Sequence, residues 1–523
     1  MKRCKNCLMP NTKPGLVLDS EGICQACRNY ERRKHTDYGK RFEELKKLAD
    51  KHRRDDGTND CIIAISGGKD SHFQVYVMKE LLGMNPLLIS VSDPFTKTKA
   101  GEHNFQNIAE TFGCDIIALH QNPKMVRKMM RVAFEEYGSP TWPIDRAIYA
   151  FPIKIAIKLG INLIVYGENV NYEYGGFLQE ETYCAKDQIN NDVAKKIDWD
   201  FWFSRGVERK EIDMLVYPSS EEIEEANLEP IYLSYFIPWD GYNNYQIAKC
   251  YGMRDLSNEW KREGYLEDYD QIDSIAYLVH PWLKYPKFGF ARATDVAGYW
   301  IRSGRITKEE GKKLIMEHDH KLDQRALDDF LKFTGYTDRE FWNIVEKFWN
   351  NDIFEKRFEF VIEAFRLFCQ KKKGWKLVLA GFLHNNKREL AYVEELKKLC
   401  KGLPVEFVFN PSQQGLSSRY SSCYATLFSA INEDWGLIPL ESMASSKPCI
   451  SVDEGGPRFS IIDGKTGYLV KNPDSMSEKM IYLSENQSET ESMGRAGRKR
   501  VLDDYTWAIF LDKIEKQFKK IKA

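Results

Sequence analysis

Short apolar runs alternate with amphipathic stretches in the first third of the chain. Each run is continuous, as in buried parallel strands, and the stretches between them carry apolar residues at helical spacing. The predicted strands are 61–65 (CIIAI), 87–91 (LLISV), 115–119 (DIIAL) and 162–166 (NLIVY), and the predicted helices are about 71–82, 101–112, 123–137 and 148–159. This rhythm predicts an α/β domain with a doubly wound parallel sheet.

The same alternation returns near residue 356. Predicted strands are 376–380, 404–409, 424–428 and 448–452, and predicted helices are 356–370, 387–400, 436–444, 475–484 and the C-terminal tail. Between the two α/β regions, residues 170–350 are less regular and very aromatic. We interpret them as a mostly helical extension that walls a pocket over the first sheet.

Composition narrows the class of protein. The chain has 523 residues, 43% of them hydrophobic, which suits two or three domains. Its net charge of −1 lacks the basic character of a dedicated nucleic-acid binder, so no nucleic acid is expected as a partner. The sequence shows no signal peptide and no apolar run of about 18 residues, so we expect a cytoplasmic protein without a membrane span.

Four of the twelve cysteines group near the N-terminus as two CxxC pairs, Cys4 with Cys7 and Cys24 with Cys27. Four thiolates at this spacing suit tetrahedral Zn²⁺ in a closed, structural site, and the metal would supply folding energy that so short a segment lacks. Four unrelated thiols are the alternative. A redox pair is disfavoured because neither motif sits at a strand-to-helix junction.

A polar, glycine-rich turn joins the strand 61–65 to the next helix: Ser66, Gly67, Gly68, Lys69, Asp70 and Ser71. Glycines let the backbone approach a phosphate, and the helix N-terminus presents N–H groups to it. An ordinary turn of chance composition is the alternative. The turn is not a Walker A loop, and the nearest match to that motif, "FSIIDGKT", has Phe459 where the first Gly belongs.

Ser-Gly-Gly-Lys-Asp-Ser resembles the pyrophosphate-loop (PP-loop) signature of the ATP pyrophosphatases. The resemblance implies that ATP is cleaved between its α and β phosphates with Mg²⁺. The six residues 66–71 would hold the phosphates, and Asp70 would also help to place the metal. Asp93, just after the second strand, would lie near the adenosine.

Three further stretches narrow the family: "VYGENVNYEYGG", "GSPTWPIDRAIYAFPIKIA" and "KYPKFGFARATDVAGYWIRSGRITKEEG". With the knuckle and the loop, residues 1–355 are similar to N-acetyl sugar amidotransferases of bacterial surface-polysaccharide pathways, which build O-antigen lipopolysaccharide and nonulosonic acids such as pseudaminic acid. The resemblance implies that a nucleotide-linked N-acetyl sugar is adenylated on its amide oxygen and that ammonia then expels AMP. It also implies a partner glutaminase with a barrel subunit, like imidazole-glycerol-phosphate synthase, because we find no glutaminase signature in this chain.

The same resemblance implies roles for further residues. Glu168 and Asn169 would face the reacting centre with Lys69 and Asp70. Sugar contacts would come from Glu173 and Tyr174, and contacts to pyrophosphate or the donor's phosphates from Lys287 and Arg292. For charged residues outside 66–71, a structural ion pair is the alternative. We interpret the aromatic residues at 199–203 and 235–242 as core rather than as sugar platforms.

A second recognisable stretch is "INEDWGLIPLESMASSKPCISVDEGGPRFSIIDGKTGYLV". Glu433 and Glu441 form an E-x7-E motif, and Gly455 and Gly456 follow a strand. Residues 356–523 thus resemble the Rossmann-like donor-binding half of a GT-B, family 4 glycosyltransferase, with Lys356 at the place of its phosphate-binding lysine. The family's preceding arginine, its opening strand and its acceptor-binding half have no counterpart here, so this half is a vestige, a nucleotide-sugar docking module or the partner of another chain.

The sequence therefore predicts four segments: a zinc knuckle (1–30), a PP-loop domain (31–170), a helical aromatic-rich substrate extension (171–355) and a glycosyltransferase-like domain (356–523). The leading hypothesis is an ATP-dependent amidotransferase. The alternatives are a tRNA-modifying PP-loop enzyme, which the neutral charge disfavours, and a glycosyltransferase with a nucleotide-binding module.

Overall fold

The computed structural model describes residues 1–176, 181–186, 197–350, 358–381, 387–430 and 437–506, together with 509 and 511. The chain divides into two compact units, Met1–Asn350 and Asn351–Ala523. The finer partition into four segments stays a prediction.

A five-stranded sheet forms the centre of the first unit. Its strands are β1 (Cys61–Ile65), β2 (Pro86–Ser92), β3 (Ile116–His120), β4 (Leu163–Tyr166) and β5 (Glu229–Tyr232), in the order β3-β2-β1-β4-β5. All neighbouring strands are parallel. The four predicted strands are confirmed. Strand β5 corrects the prediction of a mostly helical extension: it is short and contains Pro230, which is tolerated at the edge of a sheet.

Alternate residues of β1 enter two different cores. Ile63 and Ile65 pack with residues of the helices that precede and follow β1, including Leu45. Ile62 packs with Phe151 on the opposite side. Because side chains along a strand alternate between faces, helices cover both faces of this sheet, as in a doubly wound fold.

The helices up to β4 are α1 (Gln25–Arg33), α2 (Tyr38–His52), α3 (Lys69–Val75), α4 (Lys99–Phe112), α5 (Pro123–Tyr137) and α6 (Trp142–Leu159). A π-helical turn, Tyr76–Leu81, continues α3. The described helices from β4 onward are α7 (Val170–Tyr174), α8 (Trp199–Phe203), α9 (Ser220–Glu225), α10 (Leu233–Phe236), α11 (Gly241–Cys250), α12 (Val279–Trp282), α13 (Lys284–Phe288), α14 (Arg292–Arg302), α15 (Lys308–His318), α16 (Gln324–Thr334) and α17 (Asp338–Lys347). Three 3₁₀ turns add Arg209–Glu211, Asp213–Leu215 and Ala276–Leu278.

The second unit is also built from parallel strands. Strand β6 (Leu377–Gly381) pairs with β7 (Val405–Phe409), and β8 (Thr426–Phe428), β9 (Cys449–Val452) and β10 (Gly467–Val470) form the order β10-β9-β8. Its described helices are α18 (Phe358–Lys371), α19 (Lys387–Leu399), α20 (Gln413–Ser422), α21 (Leu437–Ala444), α22 (Pro457–Ser460), α23 (Pro473–Glu485) and α24 (Gln487–Asp504). The α/β class with parallel sheets is thus confirmed. In the described part of the chain, no helix is long and apolar enough to span a membrane.

Candidate active site

The turn between β1 and α3 has the geometry of an anion cradle. Gly67 has φ +92°, and a Cβ there would lie 3.1 Å from the backbone nitrogen of Phe105, so the position requires glycine. The Ser66 N–H donates to Ser71 Oγ at 3.0 Å and closes the turn. Gly68 precedes α3 without a side-chain cap, which leaves first-turn N–H groups able to bind an anion.

Charged side chains form a network at this turn. Lys69 Nζ lies 2.6 Å from Asp70 Oδ2 and 3.1 Å from Asp270 Oδ1, and Arg292 pairs with the second oxygen of Asp270. Asn244 Nδ2 donates to Asp70 Oδ1 at 2.8 Å. Burial favours a higher pKa for Asp270, but Arg292 and Lys69 outweigh it and hold that pKa well below its usual range. The two cations thus share one carboxylate.

One pocket brings together six of the residues that the sequence singled out: Lys69, Asp70, Glu168, Glu173, Tyr174 and Arg292. Sequence reasoning missed the other lining residues, which are Trp239, Gly241, Tyr242, Glu267, Asp295, Val296, Tyr299, Trp300 and Arg305. Several of them lie in the stretch 284–311, which the sequence had already singled out, so that stretch could have pointed to these lining residues.

The aromatic residues of the extension divide between core and pocket. Trp202 is fully buried in the main core, as predicted. Tyr242 lines the pocket with 44% of its surface exposed, and Trp239 lines it as well. The core interpretation is therefore wrong for Tyr242, because α11 turns this side chain toward the charged turn rather than into the apolar interior.

Glu168 follows β4 and lies among other acids. Burial, together with the charges of Asp70 and Glu173, raises its pKa to about 8, although Lys69 and Arg292 oppose the shift. A carboxyl group with this pKa exchanges protons near neutral pH, which suits general acid–base chemistry. Glu173 pairs with Arg33, and burial raises its pKa as well.

The predicted turn residues Ser66, Gly67, Gly68 and Ser71 are not among the residues that line this pocket, and three further predicted site residues of the first unit are also outside its lining. The Asn169 side chain caps α7 by accepting the Tyr172 N–H at 3.2 Å. The carboxylate of Asp93 accepts from Phe95 N, Lys97 Nζ and Ser274 Oγ at 2.8–3.0 Å. Lys287 Nζ donates to Gly138 O at 2.8 Å. Each contact is a structural role, and the functional roles of these three residues stay predictions.

The four N-terminal cysteines form one buried cluster. Their Sγ atoms all lie within 4.8 Å of one another, with 3.8 Å between Cys4 and Cys27 and 3.5 Å between Cys7 and Cys24. Zn–S bonds of about 2.3 Å in a tetrahedron place sulfurs about 3.8 Å apart, so the cluster fits Zn²⁺. Arg302 is buried beside it. Burial lowers the pKa of Arg302, but its charge interactions with the cysteines, Cys7 first among them, outweigh burial, so the net pKa is raised. A buried cation suits the negative charge of four thiolates.

In the second unit, the predicted donor-site residues lie near the end of β9 and on α21. Glu441 Oε2 accepts from Tyr420 OH at 2.8 Å. Gly455 has φ +59°, and Gly456 precedes α22. Lys356 and Glu433 lie outside the described residues, so their roles stay predictions.

Two family models match stretches of the chain between residues 261 and 500. Residues 348–500 match the family model "Glycosyl transferases group 1", and residues 261–366 match "LPS biosynthesis protein WbpG-like, C-terminal domain". The chain is 30% identical to trehalose synthase of Pyrococcus horikoshii over 152 residues, which cover 28% of this chain and 36% of that protein. It is 31% identical to human alpha-1,3/1,6-mannosyltransferase ALG2 over 162 residues, which cover 30% of this chain and 39% of that protein. The chain thus spans little more than a third of these relatives.

Solved structures give weaker similarities. The C-terminal domain of the group 1 glycosyltransferase LpcC from Francisella tularensis superposes with a TM-score of 0.27 at 24% identity, covering 29% of this chain and 80% of that one. Anabaena HepE in complex with UDP superposes with a TM-score of 0.30 at 12% identity, covering 88% of this chain and 99% of that one.

These comparisons support the glycosyltransferase alternative better than the amidotransferase hypothesis, since residues 348–500 match the model of group 1 glycosyl transferases and one of the relatives named above is a mannosyltransferase. Residues 348–500 are therefore similar to group 1 glycosyl transferases.

Proposed function

We propose that the first unit is an ATP-dependent, AMP-forming amidotransferase that acts on a nucleotide-linked N-acetyl sugar. The observation that carries this proposal is the pocket in which two phosphate-binding cations, Lys69 and Arg292, meet Glu168 and an aromatic wall. The uncapped glycine turn beside it supports the assignment of the cations to phosphate.

The chemistry divides into two displacements. The acetamido oxygen attacks the α-phosphorus of ATP, the bond between that phosphorus and the bridging oxygen breaks, and pyrophosphate leaves with the electron pair. Lys69, Arg292 and the turn amides would hold the phosphates in place. Mg²⁺, which prefers oxygen ligands such as Asp70, would neutralise charge on pyrophosphate when bound.

Ammonia then adds to the imidate carbon, loses a proton, and expels AMP with the original amide oxygen. Glu168 has a pKa of about 8, so its carboxylate form is available to take that proton and its protonated form to donate a hydrogen bond. The product is an acetamidino group. The ammonia source, on this proposal, is a partner glutaminase with a barrel subunit.

The pocket walls suit a sugar substrate. Tyr242, Tyr299 and Trp300 provide apolar ring surface, and Arg305 provides a charged donor that pairs with Asp240. Sugars commonly bind aromatic faces by their C–H groups and polar donors by their hydroxyls. The match of residues 261–366 to an LPS biosynthesis protein model supports a substrate from bacterial surface-polysaccharide synthesis.

The test is incubation of the full chain with ATP, ammonium and a panel of nucleotide-linked N-acetyl sugars. Mass spectrometry should detect AMP together with a sugar lighter by the difference between O and NH. Lys69→Ala should abolish AMP release, whereas Lys46→Ala, an exposed lysine paired with Glu43, should not. Release of ADP, or AMP release that survives Lys69→Ala in folded protein, contradicts the proposal.

A second candidate function is glycosyl transfer by the second unit, which the group 1 family match favours. On this proposal Glu441 binds the donor nucleotide sugar, and Gly455 and Gly456 approach its diphosphate. Radiolabelled transfer to a polysaccharide acceptor tests it: Lys69→Ala should leave the transfer intact, and Glu441→Gln should lower it by about tenfold or more. The opposite pattern would contradict a separate donor site.

A further inference from the structure

The N-terminal knuckle, residues 1–33 including α1, contacts the wall of the pocket at several points. Two of the segments that it contacts are α7, which carries Glu173 and Tyr174, and the turn 288–292, which leads into Arg292. Both segments line the pocket. The knuckle itself contributes none of the residues that line it.

Three successive backbone carbonyls of α7 accept hydrogen bonds from side chains outside this helix. Asn29 Nδ2 donates to Tyr172 O at 3.0 Å, and Lys13 Nζ donates to Tyr174 O at 2.7 Å. Between them, Glu173 O accepts from Arg302 Nη2 at 3.4 Å. A five-residue helix satisfies few of its own carbonyls, so these donors are a large share of what orders it.

Side chains reinforce the same contact. Arg33 forms an ion pair with the Glu173 carboxylate, and its guanidinium lies 4.7 Å from the centre of the Tyr172 ring. The chain leaves α7 through Gly175, where an added Cβ would lie 3.2 Å from Leu16 Cδ1. The knuckle and the end of α7 are therefore in close contact, and the φ of +77° at Gly175 favours glycine there.

The turn 288–292 also accepts hydrogen bonds from side chains of the knuckle. Thr12 Oγ1 donates to Phe288 O at 2.5 Å, and Arg3 Nη2 donates to Gly289 O at 3.3 Å. Phe290 is buried in one small core with the four cysteines. Phe288 and Gly289 are thus tied to the knuckle by hydrogen bonds, and Phe290 is tied to it by packing.

We propose that the cysteine knuckle is a positioning device for the pocket: it holds α7 and the 288–292 turn so that Glu173, Tyr174 and Arg292 face the substrate. Asn29 and Arg33 are its positioning residues, and neither is a metal ligand. The role in substrate binding rests on the proposed function, whereas the ordering of the two segments does not.

The first experiment measures amide hydrogen exchange in the full-length, zinc-loaded protein. Asn29→Ala and Arg33→Ala should each speed exchange in peptides covering 170–176 by about tenfold, because hydrogen bonds that order a short helix are lost. Peptides from β1 and β4 should be unchanged, and the zinc content should stay at the wild-type level. Arg28→Ala is the matched control, because Arg28 lies on the same helix but pairs with exposed Asp19 and Glu21.

Two further arms separate positioning from simple stability. Arg33→Lys, which keeps a cation for Glu173, should restore part of the protection that Arg33→Ala loses. Removal of zinc with a chelator should speed exchange in 170–176 and 288–292 together. In the ATP and ammonium assay, Asn29→Ala should raise KM for the sugar about tenfold and leave KM for ATP unchanged.

Unchanged exchange in 170–176 in Asn29→Ala, Arg33→Ala and the chelated protein would overturn the inference. Equal acceleration in Arg28→Ala would do the same. If no sugar is amidated but exchange changes as expected, the positioning device stands and the proposed reaction fails.

Discussion

Asp270 is the residue whose loss should most disturb the pocket, because both cations assigned to phosphate depend on it. Its Oδ1 lies 3.1 Å from Lys69 Nζ, and its Oδ2 pairs with Arg292. The side chains of Lys69 and Asp270 are 9% and 12% exposed, so water screens the pair weakly. Asp270→Asn keeps the size of the side chain and removes its charge.

The magnitude follows from these distances. With an effective dielectric constant of about 20, charges 3.1 Å apart attract by about 5 kcal/mol. Desolvation of the two charges offsets a large part of that attraction, and in the variant Lys69 still pairs with Asp70. Asp270→Asn should therefore lower the free energy of unfolding of the first unit by about 3 kcal/mol. In Lys69→Ala/Asp270→Asn, opposite charges are removed together, and the double variant should be about 2 kcal/mol more stable than additivity predicts.

The assay is the urea dependence of amide exchange in peptides from β1 and β4, which reports the first unit without interference from the second. Asp213→Asn is the control, because Asp213 is 65% exposed and pairs with Lys154 at 3.3 Å. An exposed pair of this kind contributes about 0–1 kcal/mol. Equal losses in Asp270→Asn and Asp213→Asn, or strict additivity in the double variant, would refute the reasoning.

Three further predictions concern single residues. The pKa of Glu168 is raised to about 8, so the stability that its protonated carboxyl contributes is fully present below the unfolded pKa and is lost as pH rises through about 8. Urea titrations of ligand-free protein should therefore show a free energy of unfolding that declines with pH, and this decline should be flatter in Glu168→Gln. The same dependence on pH in both proteins would contradict the assignment. Gly67→Ala should cost more stability than Gly57→Ala, because both have positive φ but only Gly67 has a backbone within 4 Å, and it should also weaken ATP binding in calorimetry. Glu441→Gln should weaken binding of a nucleotide sugar to the second unit by about tenfold or more without affecting AMP release, since it removes a charged hydrogen-bonding partner; equal binding in titration calorimetry would contradict the donor-site assignment.

The elements of the fold that a short stretch of sequence specifies by itself were largely predictable. Three strands of the first sheet, β1, β2 and β4, were visible as apolar runs because they are buried along most of their length. Strand β3 was visible as an apolar run as well, although none of its residues is fully buried. Strand β5 was invisible, because four residues containing Pro230 carry no such run and pair only because Leu163–Tyr166 lies beside them.

The site was predictable only in part, for the same reason. Lys69, Asp70 and Glu168 follow strands directly, and the carboxyl ends of parallel strands meet at one edge. Asp270 is 201 positions from Lys69, and no local pattern marks it as a partner. The hold of Asn29 on Tyr172, 143 positions away, was equally hidden.

By itself, the sequence determined the α/β class, the polar turn after β1 and the grouping of four cysteines, because periodicity and short-range spacing express these directly. Only the tertiary structure decided which carboxylate neutralises Lys69 and Arg292, which aromatic side chains face the pocket, and that the knuckle holds the pocket wall. Those features depend on contacts between distant segments, which form only when the buried faces of sheet and helices have brought them together.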